Sequence, residues 1–444
     1  MEAENRLHVA VARAFSLQVH NNSVKAEIIA IGSELLTPDR VDTNSLFLTE
    51  QLNRLGIEVV RKLVVGDQRG QIRDSFREAL GRAELVISIG GLGPTEDDLT
   101  REALAELLGR RLILNEAILL GIQARFRRLG RQMPEINQRQ AMVPEGAIVL
   151  ENSQGTAPGL WLETDGRIVI LLPGPPQELK PMFTQEVEGR LAWRTTAVRL
   201  YKRELRVAGM AESDVEQRIA PIYTRYPDAQ TTILASPGEV QIHLRAWSAD
   251  ATAAEKLLKE MVERVVMALG ENIFTTKGES LEEVVARDLN LNGATIAVAE
   301  SCTGGLLAQR LTSIPGSSSY FLGGVVCYSN DLKRVWVDVP ADLLESKGAV
   351  SMEVARALAE GIRRRSGSTL GLAVTGIAGP GGGSPEKPVG TVHVALAERA
   401  GGKERTLHLP GDRDRIRWQA SQAALDLVRR HFLYAQQGKQ QNRG

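Results

Sequence analysis

The sequence predicts an α/β protein, with two α/β domains separated by a small α+β module. Three observations predict this. The 444 residues suggest about three domains at roughly 100–200 residues each. Short apolar runs alternate with helical patterns, which indicates strands wrapped by helices and, over residues 25–180, a parallel sheet. The 42 glycines cluster in short apolar contexts, as backbone turns around ligands do and disordered segments do not.

Residues 1–24 lack periodicity and are expected to be an N-terminal extension. The first domain is read as 25–180. It has strands at 25–31, 59–65, 85–89 and 168–172, and a helix at 44–55 carried by Leu46, Leu48 and Leu52. The character changes over 181–277. Alternating segments at 198–207 and 240–246 and helical patterns at 212–219 and 253–269 make a small α+β domain, and 275–280 reads as a hinge. The last domain is read as 278–435. It has strands at 294–299, 320–328, 370–375 and 390–397, and helices at 281–289, 306–311, 351–365 and 415–432. Residues 436–444 are polar and are expected to be a disordered tail.

Lys and Arg total 54 and so do Asp and Glu. A neutral chain is a poor prior for a nucleic-acid binder. No apolar run reaches the ~18 residues of a membrane span. Glu2, Glu4, Arg6 and Arg13 argue against a signal peptide. A cytoplasmic protein is expected. Two cysteines, Cys302 and Cys327, make neither a disulfide framework nor a four-cysteine zinc site.

Two regions carry chemistry. In the first, Ile31-Gly32-Ser33-Glu34 and Ile89-Gly90-Gly91-Leu92-Gly93-Pro94-Thr95-Glu96-Asp97-Asp98 are strands ending in glycine turns. Glycine lets backbone N–H groups face an anion, and the next helix adds its positive end. Acidic residues there need a reason. Either a divalent cation bridges them to phosphates, or Asp97 and Asp98 only complement a helix dipole. Leu172-Pro173-Gly174-Pro175-Pro176 adds a third loop at the strand ends, where ligands bind in open α/β sheets.

The second region centres on Ala299-Glu300-Ser301-Cys302-Thr303-Gly304-Gly305. A serine there is either an N-cap or a nucleophile needing a base. No histidine lies in the neighbouring loops, so a Ser-His-Asp triad is poorly supported. Lys333, a short way past Tyr328, can serve as base once burial leaves it neutral. Cys302 is the rival nucleophile, although alternation along the strand points it away from Ser301.

Together these motifs resemble the competence/damage-inducible CinA family. The stretches that carry the match are Gly32–Leu36, Asp42-Thr43-Asn44, Gly90–Thr100, Leu172–Pro176, Ala299–Gly305, Tyr328-Ser329-Asn330, Lys333, Thr375–Pro380 and Gly411-Asp412-Arg413. Thr37-Pro38-Asp39-Arg40 departs from the family's glycine-containing turn.

The resemblance implies an N-terminal domain similar to the molybdopterin-binding MoaB/MogA fold, a KH-like middle domain and a C-terminal amidase domain. It implies a metal-dependent ADP-ribose pyrophosphatase at the first site. There Asp98 is the catalytic aspartate, and Asp97, Asp98 and Asp42 hold Mg, Mn or Co. Gly32, Glu34, Asn44, Gly91, Gly93, Thr95 and Gly174 face the substrate.

At the second site the resemblance implies a nicotinamide mononucleotide (NMN) deamidase that requires no metal. Ser301 is the nucleophile, Lys333 its base, and Tyr328 orients or relays the proton. Thr303, Gly304, Gly305, Thr375, Gly376, Gly379, Arg413 and Arg417 bind substrate, with the two arginines as phosphate partners. A homodimer is expected by the same analogy. The middle domain has no Gly-x-x-Gly loop, so RNA binding is unsupported. Two alternatives stay open: a molybdopterin-binding protein, and a non-catalytic partner in competence or DNA repair.

Overall fold

A computed structural model describes residues 24–192 and 198–441, with side chains as far as residue 435. The chain forms two compact units. One runs to Tyr201 and includes 246–255, and the other holds 202–245 and the chain from Lys256 onward.

In chain order the first unit has β1 (Lys25–Ile31), α1 (Asn44–Arg54), β2 (Glu58–Val65), α2 (Arg69–Leu80), β3 (Leu85–Ile89), α3 (Thr100–Leu107), β4 (Leu112–Leu114) and α4 (Glu116–Arg128). It continues with β5 (Met142–Pro144), β6 (Ile148–Leu150), β7 (Gly159–Thr164), β8 (Arg167–Leu172), α5 (Pro176–Met182) and α6 (Glu188–Ala192). Its main sheet has the order β2-β1-β3-β8-β7-β6. The first four strands are parallel, while β7 pairs antiparallel with β8 and β6 antiparallel with β7. The sheet is therefore mixed: the four strands expected from the sequence are parallel, and β7 and β6 extend it with antiparallel pairings. Apolar side chains alternate between faces. Ile28 packs with Leu48 and Leu52 of α1, and Ile29 with Ile72 and Phe76 of α2. The chain reverses at the ends of β1, β3 and β8, which places the three glycine loops side by side.

The first domain does not stop at residue 180. Leu179, Met182, Phe183, Val187 and Leu191 all belong to its core. The prolines after β8 start a helix, since proline is tolerated in a first helical turn. The extension expected over 1–24 lies outside the described residues except for Val24. The Val24 carbonyl accepts from Glu58 N at 3.0 Å, so this residue is part of the domain.

The middle module contains β9 (Arg199–Ala208), α7 (Glu212–Tyr223), β10 (Ala229–Ser236), β11 (Glu239–Ser248), α8 (Ala251–Leu269) and β12 (Ile273–Thr275), with sheet order β10-β11-β9-β12. The segment after β12 is tied down, unlike a hinge. Thr275 Oγ1 donates to Glu279 at 2.7 Å, and Ser280 forms a reciprocal cap with Glu283.

The C-terminal domain comprises α9 (Leu281–Leu291), β13 (Ile296–Glu300), α10 (Leu306–Thr312), β14 (Phe321–Val326), α11 (Asn330–Val337) and α12 (Ala341–Lys347). These are followed by α13 (Met352–Ser366), β15 (Leu370–Gly376), β16 (Thr391–Glu398), β17 (Gly401–His408) and α14 (Arg413–Gln441). The sheet order is β14-β13-β15-β16-β17. β14, β13 and β15 are parallel, β16 pairs antiparallel with β15, and β17 antiparallel with β16. Ile296 and Val298 pack beneath α9 and α14, while Ala297 and Ala299 face α13. The expected tail over 436–444 is helical as far as Gln441. Once α14 is nucleated, each further residue adds a hydrogen bond at little cost.

Candidate functional site

Three parallel strands, β14, β13 and β15, end together at the second site. Ser301 follows β13, and its N–H donates to Val374 O of β15 at 3.0 Å. Cys327 N donates to Glu300 O at 2.9 Å. Ser301 therefore sits between the Cys327-Tyr328 turn and Thr375. The alternation that turns Ala299 toward α13 turns Cys302 into the opposite core, with Val298. Burial pushes the Cys302 thiol up to about 12, so it stays protonated and unreactive near neutral pH.

Lys333 lies on α11, whose start is capped by the Ser329 hydroxyl accepting from Leu332 N at 3.2 Å. Its side chain is only 1% exposed. Nζ donates to Cys327 O at 2.9 Å and Tyr328 O at 3.2 Å. Burial lowers its pKa below the ordinary lysine value. No hydrogen bond joins it to Ser301 among the described residues. The expected Ser–Lys pair is thus held at the same strand ends without a hydrogen bond between them, because the lysine rises behind the turn from a helix and spends its N–H groups on the Cys327 and Tyr328 carbonyls.

Tyr328 is 56% exposed. Its hydroxyl accepts from the Arg413 guanidinium at 2.8 Å, and the same guanidinium donates to Gly379 O at 2.7 Å. The tyrosine therefore faces the arginine at the rim. Arg417 donates to Thr303 O at 2.9 Å.

Thr303 is fully buried with an unpartnered hydroxyl. It cannot touch substrate through its side chain as expected, because the turn ahead of α10 folds it inward. Thr375 is also buried, and its hydroxyl donates to Ala349 O at 2.8 Å. Gly304 and Gly305 have φ of 60° and 96°, a left-handed pair that few other residues adopt. Gly376 and Gly379 leave room for Val392 and Val389, which added Cβ atoms would meet at 2.7 Å.

At the first site, Gly32, Glu34, Gly91, Gly93, Asp97, Asp98 and Gly174 line a cavity of about 410 Å³. Asp98 Oδ2 accepts from Thr95 N at 2.9 Å and also from the Thr95 hydroxyl. The Thr95 side chain beside it holds the exposed Asp97 carboxyl below the usual carboxylate range. Asn44 Nδ2 donates to Gly174 O at 2.7 Å, which joins α1 to the third loop.

Asp42 is not with the other two aspartates. It lines the adjoining recess with Asn44, and it caps α1 by accepting from Ser45 N at 2.9 Å and from the Ser45 hydroxyl. Helix capping claims it. Among the described residues no three His, Cys, Asp or Glu side chains gather to hold a metal. Asp97 and Asp98 nevertheless fit a hard cation of the kind held by one or two carboxylates plus phosphate and water.

A model described as the CinA C-terminal domain matches residues 278–432, one for the CinA KH domain matches 202–275, and one for a probable molybdopterin-binding domain matches 27–193. A CinA-like protein of Koribacter versatilis is 49% identical over 92% of this chain and all of its own length. The chain belongs to the CinA family. Another relative, a putative competence-damage inducible protein of Symbiobacterium thermophilum, is 44% identical over 92% of this chain and 99% of its own. A crystal structure of a competence/damage-inducible protein from Agrobacterium tumefaciens is 41% identical over 35% of this chain and 97% of its own, with a TM-score of 0.33. No helix among the described residues of this CinA-family chain is long and apolar enough to cross a membrane.

Glu300, outside the set of expected site residues, shapes the loop that holds Ser301. This fully buried carboxylate accepts from Gly305 N at 3.0 Å, Leu307 N at 3.1 Å and Ala308 N at 2.8 Å. It satisfies the open start of α10 from within the strand and so fixes the Ser301 turn. The available signal was a charged residue ending an apolar strand. Glu300→Gln keeps one acceptor oxygen and is expected to cost about 1–3 kcal/mol for each N–H left unpaired. Denaturant unfolding measures this, and unchanged stability would remove Glu300 from its positioning role.

Proposed function

We propose that the protein is a two-site pyridine-nucleotide recycling hydrolase. The C-terminal site converts NMN and water to nicotinic acid mononucleotide and ammonia. The N-terminal site cleaves ADP-ribose to AMP and ribose 5-phosphate. The observation that carries the reading is the meeting of Ser301 and the buried Lys333 turn at the ends of three parallel strands. The family resemblance supplies the substrates and a homodimeric assembly, and the composition supports a cytoplasmic setting.

In this mechanism Ser301 Oγ attacks the carboxamide carbon and gives up its proton to neutral Lys333. A neutral amine keeps two N–H donors for Cys327 O and Tyr328 O. Its lone pair is then the acceptor that the serine proton needs. Collapse of the tetrahedral adduct breaks the C–N bond, and the same proton leaves with ammonia. Water hydrolyses the resulting ester and restores Ser301. The Thr303 N–H has no protein partner among the described residues, and it supports oxyanion binding. Arg413 and Arg417 at the rim suit the nucleotide phosphate. No metal is needed at this site.

At the N-terminal site Asp97 and Asp98 would hold a divalent cation such as Mg, Mn or Co. When bound, the cation neutralises phosphate charge. The glycine loops accept the phosphates, with Glu34, Asn44, Thr95 and Gly174 beside them.

Purified protein should be incubated with NMN and, separately, with ADP-ribose, each with and without a chelator. Chelation is expected to abolish ADP-ribose hydrolysis and spare deamidation. Equal loss of both would sink the assignment of a metal to one site. The model for a probable molybdopterin-binding domain favours a second reading, ligand binding without catalysis at 27–193. Pterin fluorescence in the purified protein would support it.

A further inference from the structure

We infer that Thr100 and Arg101 build an anion cradle at the first site by turning four consecutive carbonyls away from the cavity. This deepens the reading of that cavity as a phosphate site and rests on it. Gly90 O accepts from Thr100 Oγ1 at 2.9 Å, and Gly91 O from Thr100 N at 3.2 Å. Leu92 O and Gly93 O accept from the two terminal nitrogens of Arg101, at 2.7 and 3.0 Å. These peptides are trans. In a trans peptide the N–H points opposite to the carbonyl that precedes it.

The N–H groups of Gly91, Leu92 and Gly93 therefore point away from Thr100 and Arg101. They have no protein partner among the described residues, and all three residues line the cavity. Successive N–H groups presented this way bind anions. The left-handed φ of Gly90 and Gly91, 96° and 66°, permits the fold. A Cβ on Gly91 would strike the Thr100 hydroxyl at 2.1 Å.

Arg101 adds charge as well as shape. It is 1% exposed, and its Nε has no partner. Both of its hydrogen bonds go to neutral carbonyls. Glu102 and Asp98 act on it only through space, since Glu102 is paired with Arg139 and Asp98 accepts from Thr95. A buried cation is costly unless an anion compensates it. Neither carboxylate hydrogen-bonds to Arg101 among the described residues, and a phosphate or pyrophosphate group in the cradle completes the compensation. Arg101 acts through the loop and is a positioning residue.

The test is calorimetric titration of inorganic pyrophosphate into the full-length protein. Arg101→Met is expected to weaken binding at least about tenfold, the scale of a lost charged hydrogen bond. Arg101→Lys should recover part of the loss, and guanidinium ion should restore binding to Arg101→Ala, an effect that a merely structural role would not give. NMN deamidation, measured on the same variants, checks that the rest of the chain is folded. Wild-type affinity in Arg101→Met overturns the cradle, as does failure of both the lysine variant and guanidinium to restore binding. Absence of pyrophosphate binding to the wild type overturns it too. If the wild type binds pyrophosphate but leaves ADP-ribose intact, the cradle stands and the proposed activity falls.

Discussion

Ser301→Ala is expected to end NMN deamidation, with kcat falling at least about 1,000-fold as for the loss of other serine nucleophiles. The substitution removes one hydroxyl from a half-buried position. The hydrogen bonds that hold this turn come from the Ser301 backbone and the Glu300 side chain, so the turn should survive. ADP-ribose cleavage should continue, because the carboxylates proposed for it lie in the other compact unit. Ammonia release and AMP formation, measured on one preparation, decide the matter. Loss of both activities in a folded protein would mean that the sites are shared or coupled. Persistent deamidation would pass the nucleophile's role to another group. Cys302 is a poor heir, since burial keeps its thiol protonated.

Lys333 should show the second large effect. Arginine keeps the charge but cannot act as a base. Methionine keeps much of the volume and removes the amine. Both Lys333→Arg and Lys333→Met are expected to lower deamidation at least about 100-fold, the lower range for general-base catalysis. The wild-type rate should rise with pH as the amine loses its proton, with a midpoint below the ordinary lysine value of 10.5 because burial disfavours the charged form. The sign for stability agrees. The folded state binds fewer protons here than the unfolded chain between the lowered pKa and 10.5. This group's contribution is therefore full above 10.5 and lost as pH falls through the folded pKa. A methionine variant with near-normal turnover would reduce Lys333 to a brace for the Cys327 and Tyr328 carbonyls.

The sequence foretold parallel strand ends at the first site, because Ile28–Ile31 and Leu85–Ile89 are apolar runs cut off by glycine, and at the second site the apolar run Ile296–Ala299 marked a strand that ends just before Ser301. β17 was not foreseen. It is an edge strand spelled Gly-Gly-Lys-Glu-Arg-Thr-Leu-His, with one face in solvent, so no apolar run marks it. The boundary at 180 was set where the pattern changes character, whereas the helices that follow β8 carry Leu179, Phe183 and Leu191 into the core of the first domain. Ser301, Lys333 and Thr375 were legible as a set. Their contacts were not, since Thr375 and Lys333 spend their polar atoms on backbone carbonyls that only the folded chain supplies. Arg101 gave no sign at all. A basic residue in the first turn of a helix reads as solvent-facing until burial shows otherwise.

The two glycine loops are spelled alike, yet they have opposite polarity. At Gly90–Gly93 a hydroxyl and a guanidinium claim the carbonyls, so the loop turns its donor side to the ligand. At Gly304–Gly305 the Glu300 carboxylate claims N–H groups at the start of α10, so the positive end of that helix is already spent. Phosphate has a backbone welcome in the first loop and little in the second, where it must look to arginines on another helix. A glycine-rich strand end is therefore a socket whose sign is set by the neighbour wired behind it. Here that neighbour is an arginine in one domain and a glutamate in the other.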